Sequence, residues 1–281
     1  MNHGTVTSEQ IRRFQDHLQR EERSENTVKK YLRDIRRFAA FQKGEGVTKE
    51  GIIRYKTSLR ESGYAISSIN SMLAAVNAFL AFLNWKDCAV KLFPVQREAY
   101  CATEKELTRN EYVRLIRGAR KKGDRRLSLL LQTICATGIR VSELRYITVE
   151  SVSRGKTTVF LKGKTRQILI VGELKNKLLR YAQERKIGSG AIFVTRSGKP
   201  LDRTSIWREM KGICCLAGVS PQKVFPHNLR HLFARTFYSM DRDIAKLADI
   251  LGHSSIQTTR IYLTSTEQEC RSRMEHMRLL I

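Results

Sequence analysis

The sequence lacks any long hydrophobic run and any framework of paired cysteines. No apolar stretch approaches the roughly 20 residues that a membrane-spanning helix needs, and the N-terminus has no apolar signal-peptide core. These absences argue against a membrane partner and predict a chain that stays in the cytoplasm. The six cysteines include no C-x-x-C pair, so we expect free thiols and no disulfide framework.

Acidic residues are also scarce. The chain of 281 residues has 27 Asp and Glu against 52 Lys and Arg, which gives a net charge of +25. Such an excess attracts polyanions, and nucleic acid is the expected partner. The basic residues are spread through predicted helices, so folded surfaces and not a disordered tail should contact phosphate. A non-catalytic DNA-binding protein would share this charge, so charge alone predicts binding and not chemistry.

Hydrophobic periodicity predicts a mainly α-helical protein of two domains. The first 88 residues contain four helical patterns, and polar capping residues mark their starts: Thr7 and Ser8, Ser24, Thr48, and Ser67 or Ser68. Residues 89–106 lose this periodicity and contain Pro94, which indicates a linker. We therefore expect a helical domain over residues 1–88, a linker over 89–106 and a second domain over 107–281.

The second domain is predicted to be mainly α-helical with one small antiparallel β-sheet. Thr108 and Glu111 form a T-x-x-E capping box, Asp124 starts a buried helix, and Gly138 is expected to end it. Two β-branched, apolar segments within residues 157–171 flank residues 162–165, which predicts a short hairpin with those four residues as its connection. Further helices are expected within 139–147, over 173–186, 204–217, 226–240, 243–251 and 255–263 and from 266, with an additional strand at 191–194.

Two polar stretches stand at predicted helix breaks. ATGIRVSEL (136–144) places Arg140 just after Gly138, with Glu143 three residues later. LGHSSIQTTRIY (251–262) ends one helix at its glycine, places His253 in the turn and puts Tyr262 near the end of the next helix. Taken singly, each of these residues is better explained by an ordinary structural role than by a catalytic one.

A third stretch, HNLRHLFA (227–234), places His227, Arg230 and His231 on one helical face. Pro226 suits the first helical turn, so His227 should lie at the positive end of the helix and stay largely neutral. The H-x₃-H spacing also raises the possibility of a zinc site with Cys214 and Cys215. Adjacent cysteines are poor joint ligands for one tetrahedral ion, so no metal site is predicted.

The order Arg, Lys, His-x-x-Arg, His, Tyr resembles the tyrosine recombinase family, also called the phage integrases. The residues that carry the resemblance are Arg140, Lys164, His227, Arg230, His253 and Tyr262. It covers nearly the whole chain, because the N-terminal helices also resemble that family's four-helix SAM-like core-binding domain. The resemblance implies a core-binding domain and a tyrosine-recombinase catalytic domain that clamp DNA between them.

The resemblance also implies a role for each residue. Tyr262 would attack a DNA phosphate and form a covalent 3′-phosphotyrosine, with Arg140 and Arg230 stabilising the transition state and His253 donating to a non-bridging oxygen. Lys164 would be the general acid and His227 would exchange a proton, with Glu143 and His231 as accessory residues. No cofactor is implied, because the broken phosphodiester's energy is kept in the protein–DNA bond. The sequence accordingly has no G-x₄-GK[ST] motif.

The sequence leaves several alternatives open. Lys162 is the rival of Lys164 as general acid, and Lys164 is preferred because it begins K-x-R before the second strand. A type IB topoisomerase shares the chemistry, although the LGHSS motif and the C-terminal helix favour a recombinase. A non-catalytic DNA-binding protein on this fold is the other alternative.

The expected partners follow from the resemblance. They are double-stranded DNA with a specific recombination site, further copies of the chain in a tetramer, and a possible partner recombinase. The C-terminal helix would dock on its own domain or on a neighbouring protomer. Because the chain starts almost at the four-helix unit, we expect a simple recombinase of the Xer type or from a small mobile element. Integration, excision, resolution and inversion of DNA are all compatible with it.

Overall fold

A computed structural model describes residues 3–95, 106–161, 164–263 and 267–277. The chain divides into two units, Met1–Arg97 and Glu98–Ile281. Helices dominate both units, and the described residues contain one two-stranded antiparallel sheet. Within those residues, no helix has both the length and the apolar character needed to span a membrane.

The first unit is built from four helices that enclose an apolar core. They are α1 (Ser8–Arg20), α2 (Glu25–Gln42), α3 (Lys49–Glu61) and α4 (Ile66–Phe82). Thr7, Ser24 and Thr48 cap the first three helices through their side chains, as the sequence predicts. The predicted cap of α4, Ser67 or Ser68, was wrong by two or three residues, because the N-cap is Ala65, which makes no side-chain cap bond. Helix α4 is the most buried of the four, so its packing against α2 and α3 sets where it begins.

The second unit contains the remaining helices and the sheet. The helices are α5 (Arg109–Lys121), α6 (Arg125–Thr137), α7 (Val149–Ser153), α8 (Gly172–Glu184), α9 (Arg203–Lys211), α10 (Cys214–Ala217), α11 (Pro226–Asp241), α12 (Ile244–Leu251), α13 (Ile256–Arg260) and α14 (Glu267–His276). The predicted capping box of Thr108 and Glu111 starts α5, and Asp124 caps α6. Helix α6 is buried on several faces and packs against α5, α8 and α11, so it forms the centre of this unit.

The hairpin has a shorter connection than the sequence predicts. Strand β1 (Lys156–Leu161) pairs with β2 (Lys164–Leu169), and the last pair of the register joins Leu161 to Lys164. Lys164 and Thr165 therefore belong to β2, and the prediction that they lie in the connection was wrong. Only positions 162 and 163 lie between the strands, which is the commonest length for a hairpin connection.

Four further predictions were only partly right. Residues 191–194 form no strand; Ala191 and Val194 make isolated bridges, because the buried side chains of Ile192 and Phe193 hold this segment against the core. The helix predicted over 204–217 is interrupted after Lys211 and continues as α10. The segments Val141–Tyr146 and Ile261–Leu263 are 3₁₀ turns and not α-helix.

Candidate active site

Five of the six principal residues predicted for the site meet in one part of the second unit. Arg140 precedes the 3₁₀ turn after α6, His227 and Arg230 lie on α11, His253 lies in the turn after α12, and Tyr262 lies in the 3₁₀ turn after α13. Arg140, His253 and Tyr262 lie at helix ends or in turns. Side chains from different helices can meet at one site in such positions.

Gly138 allows the first of these helix ends. It ends α6 in the left-handed conformation with φ of 62°, which glycine adopts without steric cost. A Cβ atom at this position would lie 2.5 Å from Cδ1 of Phe233. The chain can therefore turn tightly against α11, which brings Arg140 and the Gly138 carbonyl close to Arg230.

Arg230 is buried and held by the backbone of two different turns. Only 1% of the residue is exposed. Its Nη1 donates to the Gly138 carbonyl, and its Nη2 donates to the Leu251 carbonyl at 2.6 Å. Burial and the neighbouring Arg140 charge lower the pKa of Arg230 to about 10, so the guanidinium keeps its charge at neutral pH. These carbonyl partners fix the plane of a charged fork that can bind phosphate oxygens.

His253 lies between Arg230 and the end of α13. Its Nε2 is 3.0 Å from Nη2 of Arg230, and its Nδ1 is 2.9 Å from Oγ1 of Thr259. A guanidinium can only donate, so Nε2 accepts and the ring proton lies on Nδ1, which donates to Thr259. Burial, followed by the charges of Arg230 and Arg140, lowers the pKa of His253 to about 4. The imidazole is therefore neutral at physiological pH.

Tyr262 is enclosed by three histidine rings. The residue is 4% exposed, and its Oη lies 3.2 Å from Nε2 of His227. Its ring stacks on that of His253 with centroids 5.3 Å apart, and the His231 ring meets it edge-on at 4.2 Å. Burial, and after it the Arg230 charge, lowers the pKa of His227. A neutral His227 can accept the phenolic proton of Tyr262.

The predicted neutrality of His227 has causes besides the one that the sequence suggests. The sequence attributes it to the start of α11, where the helix dipole disfavours a positive charge. The structure places His227 in the first turn of α11 as expected, and burial of the ring also lowers its pKa. The positive charges of Arg230, Arg140 and Arg203 add to it.

Glu143 lies at the base of the cluster and is 1% exposed. Its Oε1 accepts from Nη1 of Arg140 at 3.1 Å, and its Oε2 accepts from the Arg140 backbone N–H at 2.8 Å. Arg166 of β2 donates to the same Oε2 at 2.6 Å. Sequence alone indicates no role for Arg166, and its K-x-R context serves only to favour Lys164 over Lys162.

The hairpin lysines are described only in part. Lys164 is the first residue of β2, and Lys162 lies outside the described residues. Cys214, considered with Cys215 as a zinc ligand, is buried in the core of the unit, and its Sγ lies 3.4 Å from the Met210 carbonyl.

A cleft of about 420 Å³ opens beside the cluster. Arg140, His227 and Arg230 line it together with Arg203 and Trp207, which the sequence analysis did not identify. The three arginines give this cleft a positive charge suited to a phosphodiester. No local motif marked Arg203 and Trp207, because their position depends on how α9 packs.

Comparison with known proteins independently identifies a family that this chain resembles. The family model described as the phage integrase family matches residues 105–269, and the one described as the phage integrase N-terminal SAM-like domain matches residues 11–87. Tyrosine recombinase XerA of Pyrococcus furiosus is 31% identical, covering 100% of this chain and 98% of its own length. Tyrosine recombinase XerD of Halalkalibacterium halodurans is 29% identical, covering 92% of this chain and 94% of its own.

Solved structures show the same fold. A crystal structure of XerA recombinase is 26% identical, with a TM-score of 0.53 over 98% of this chain and 100% of that one. The XerH site-specific recombinase, solved in a pre-cleavage complex with its difH substrate, is 17% identical, with a TM-score of 0.69 over 95% of this chain and 84% of that one. At that identity the second likeness concerns the fold alone.

Proposed function

The chain belongs to the phage integrase family, and on that premise we propose that it is a tyrosine-type site-specific recombinase with Tyr262 as its nucleophile. The observation that carries the proposal is the contact of 3.2 Å between Tyr262 Oη and His227 Nε2, next to the charged guanidinium of Arg230. A phenol in contact with a neutral imidazole, beside a cleft lined by arginines, is suited to phosphoryl transfer.

The cleavage step forms one bond and breaks one. The Tyr262 oxygen attacks the scissile phosphorus, the bond from phosphorus to the 5′ oxygen breaks, and a 3′-phosphotyrosine and a free 5′-hydroxyl result. A free tyrosine has a pKa of about 10, so it needs help to lose its proton at neutral pH. His227 Nε2 takes that proton. Attack by the 5′-hydroxyl of a partner strand reverses the step and rejoins DNA, so no ATP is consumed.

The arginines stabilise the transition state. Attack leaves extra negative charge on two non-bridging oxygens, and Arg140 and Arg230 provide permanently charged donors for them. Arg230 is held by the carbonyls of Gly138 and Leu251, so its guanidinium is oriented before DNA arrives. His253 Nε2 accepts from Arg230 in the free protein. His253 would donate to a phosphate oxygen only after this contact is broken and Nε2 carries a proton, because the ring proton of the free protein lies on Nδ1.

We propose Lys164 as the general acid that protonates the leaving 5′ oxygen, with Lys162 as its rival. Lys164→Ala should cleave ordinary DNA about 10²- to 10⁴-fold more slowly, because general acid catalysis contributes about that much. A 5′-phosphorothiolate substrate has a leaving group that needs no proton, so it should largely restore the rate. Single-turnover cleavage of both substrates by Lys164→Ala and Lys162→Ala is the measurement. Rescue of Lys162→Ala alone would reverse the assignment.

The proposed partners are double-stranded DNA with a specific recombination site, three further copies of the chain in a tetramer, and in some settings a second recombinase. The named relatives are recombinases, and one solved relative is bound to its DNA substrate. Met274 and Met277 of the C-terminal segment are exposed, which fits a helix that docks on a neighbouring protomer. Leu280 and Ile281, expected on the same face, lie outside the described residues. We place the protein in the cytoplasm, associated with the nucleoid when bound to DNA.

The function is tested by strand exchange on a supercoiled plasmid that carries two copies of the DNA flanking the gene. Recombination predicts a second, smaller circle, and no metal or ATP should be required. Relaxation of supercoils without any exchanged product would instead assign type IB topoisomerase activity. Salt-sensitive binding without cleavage of any site would assign a non-catalytic DNA-binding role.

A further inference from the structure

Arg166 connects the β-hairpin to the catalytic cluster. Its Nη2 donates to Glu143 Oε2 at 2.6 Å, and its Nη1 donates to the Ile250 carbonyl at 2.5 Å. Glu143 in turn binds Arg140 through its other oxygen. One side chain on β2 therefore contacts both the carboxylate that orients Arg140 and the end of the helix that precedes His253.

The turn after α12 has the shape that this contact requires. Gly252 has φ of 66°, and a Cβ atom there would lie only 2.8 Å from Nε of Arg166 and still closer to its Cδ. The Gly252 carbonyl accepts from Nη2 of Arg140 at 3.2 Å. The Arg166 side chain is 10% exposed, so most of it is packed into this turn.

This geometry restrains the hairpin close to its lysines. Arg166 lies two residues after Lys164 and four after Lys162. A strand rises about 3.3 Å per residue, so the backbones of Arg166 and Lys164 are about 7 Å apart. Fixing Arg166 therefore also restrains the backbone position of Lys164. Because the two hydrogen bonds of Arg166 go to Glu143 and to the Ile250 carbonyl, they restrain both the direction of β2 and its distance from these two groups. Without them, the hairpin would be held on this side only by its contacts with neighbouring elements.

We propose that Arg166 is a positioning residue that sets where the hairpin lysine meets the leaving 5′ oxygen. The inference rests on the proposed function, and it gives Arg166 no contact with the reacting atoms. It acts by holding β2 against Glu143 and the end of α12, so that the acid and the phosphate-binding arginines share one rigid frame. A charged side chain without this fork would not replace it, because one ammonium cannot reproduce two diverging guanidinium bonds.

The test compares two leaving groups in single-turnover cleavage by Arg166→Ala. On ordinary DNA the rate should fall about 10²-fold, the size expected when a catalytic group is displaced by about 1 Å. On the 5′-phosphorothiolate substrate, which needs no acid, the rate should return to within several-fold of wild type. Arg166→Lys should show the same pattern despite its retained charge. Gln167→Ala, at the exposed neighbouring position on β2, is the matched control and should equal wild type on both substrates.

The outcomes separate this role from the others. Equal slowing on both substrates would overturn the inference, since it would place Arg166 in transition-state stabilisation or in folding alone. Full activity of Arg166→Lys on ordinary DNA would also overturn it, because charge without the fork would suffice. If Arg166→Ala is unfolded by circular dichroism, the same comparison is made with Arg166→Lys. Failure of wild type to cleave either substrate would overturn the proposed function itself.

Discussion

At the scale of single residues, burial keeps the histidines around Tyr262 neutral. The pKa of His227 is lowered, and the pKa values of His231 and His253 fall to about 4, with desolvation as the largest cause in each case. The histidines are therefore available as hydrogen-bond partners and proton acceptors, and they carry no charge until they take a proton. The positive field that a phosphate meets in this cleft comes from the arginines.

This burial predicts a pH-dependent stability. An unfolded histidine has a pKa of about 6.5, and His231 in the folded chain has a pKa of about 4. Between these values the unfolded chain binds a proton that the folded chain does not, so stability is present above pH 6.5 and falls as the pH is lowered towards 4.

His231→Phe isolates this contribution, because it keeps an aromatic ring against Tyr262 and removes the titrating group. The loss of unfolding free energy between pH 7 and pH 4.5 should be about 1–2 kcal/mol smaller in His231→Phe, after allowance for solvent screening. Urea unfolding at a series of pH values measures it. Parallel pH profiles for the two proteins would contradict the assignment of a buried neutral His231.

The order of polar motifs predicted which residues to examine, and five of the six principal residues do meet in one cluster. Arg166 was missed because its partner Glu143 is 23 positions away and belongs to a different element. Sequence periodicity reports which face of one element is apolar, and it carries no information on ion pairs between elements. The same limit applies to Arg203 and Trp207 on α9.

At the scale of elements, helix ends decide the shape of the site. The end of α6 at Gly138, the end of α12 at Gly252 and the start of α11 at Pro226 each position a candidate catalytic side chain. Glycine and proline made these ends readable from the sequence, since their backbone preferences are local. The start of α4 was not readable, because there packing decides and no capping side chain takes part.

Gly138→Ala tests the importance of the first helix end. The change forces a left-handed residue with a Cβ, which costs about 1–2 kcal/mol. The new Cβ would also collide with the Phe233 ring, which adds about 1–3 kcal/mol of overpacking. Gly138→Ala should therefore lower the free energy of unfolding by the sum of these two costs. Urea unfolding of the full chain measures this loss.

Gly123→Ala is the matched control for that experiment. Gly123 has φ of 75°, and a Cβ there would meet nothing within 4 Å, so only the backbone cost should appear. The difference between the two variants isolates the collision with Phe233. Equal losses in the two proteins would mean that the close approach of α6 and α11 does not constrain this turn.

At the scale of the whole molecule, the net charge of +25 predicts how the chain binds DNA. Neutralising about 6–10 phosphates releases counterions, so affinity for an unrelated duplex should fall about 10³- to 10⁵-fold between 50 and 200 mM salt. Fluorescence anisotropy at several salt concentrations measures the slope. Tyr262→Phe changes no charge and should give the same slope. A fall in affinity of less than about tenfold over this salt range would contradict a phosphate-dominated interface.

Covalent trapping with nicked suicide duplexes, drawn from the DNA flanking the gene, tests most directly whether Tyr262 is the nucleophile. Wild type and Tyr262→Phe are incubated with each duplex, and a protein–DNA band that resists SDS is sought. We expect a band with wild type, none with Tyr262→Phe, and equal non-covalent binding by both. A band that survives Tyr262→Phe would place the nucleophile elsewhere, and tight binding by wild type with no band on any duplex would contradict cleavage through Tyr262.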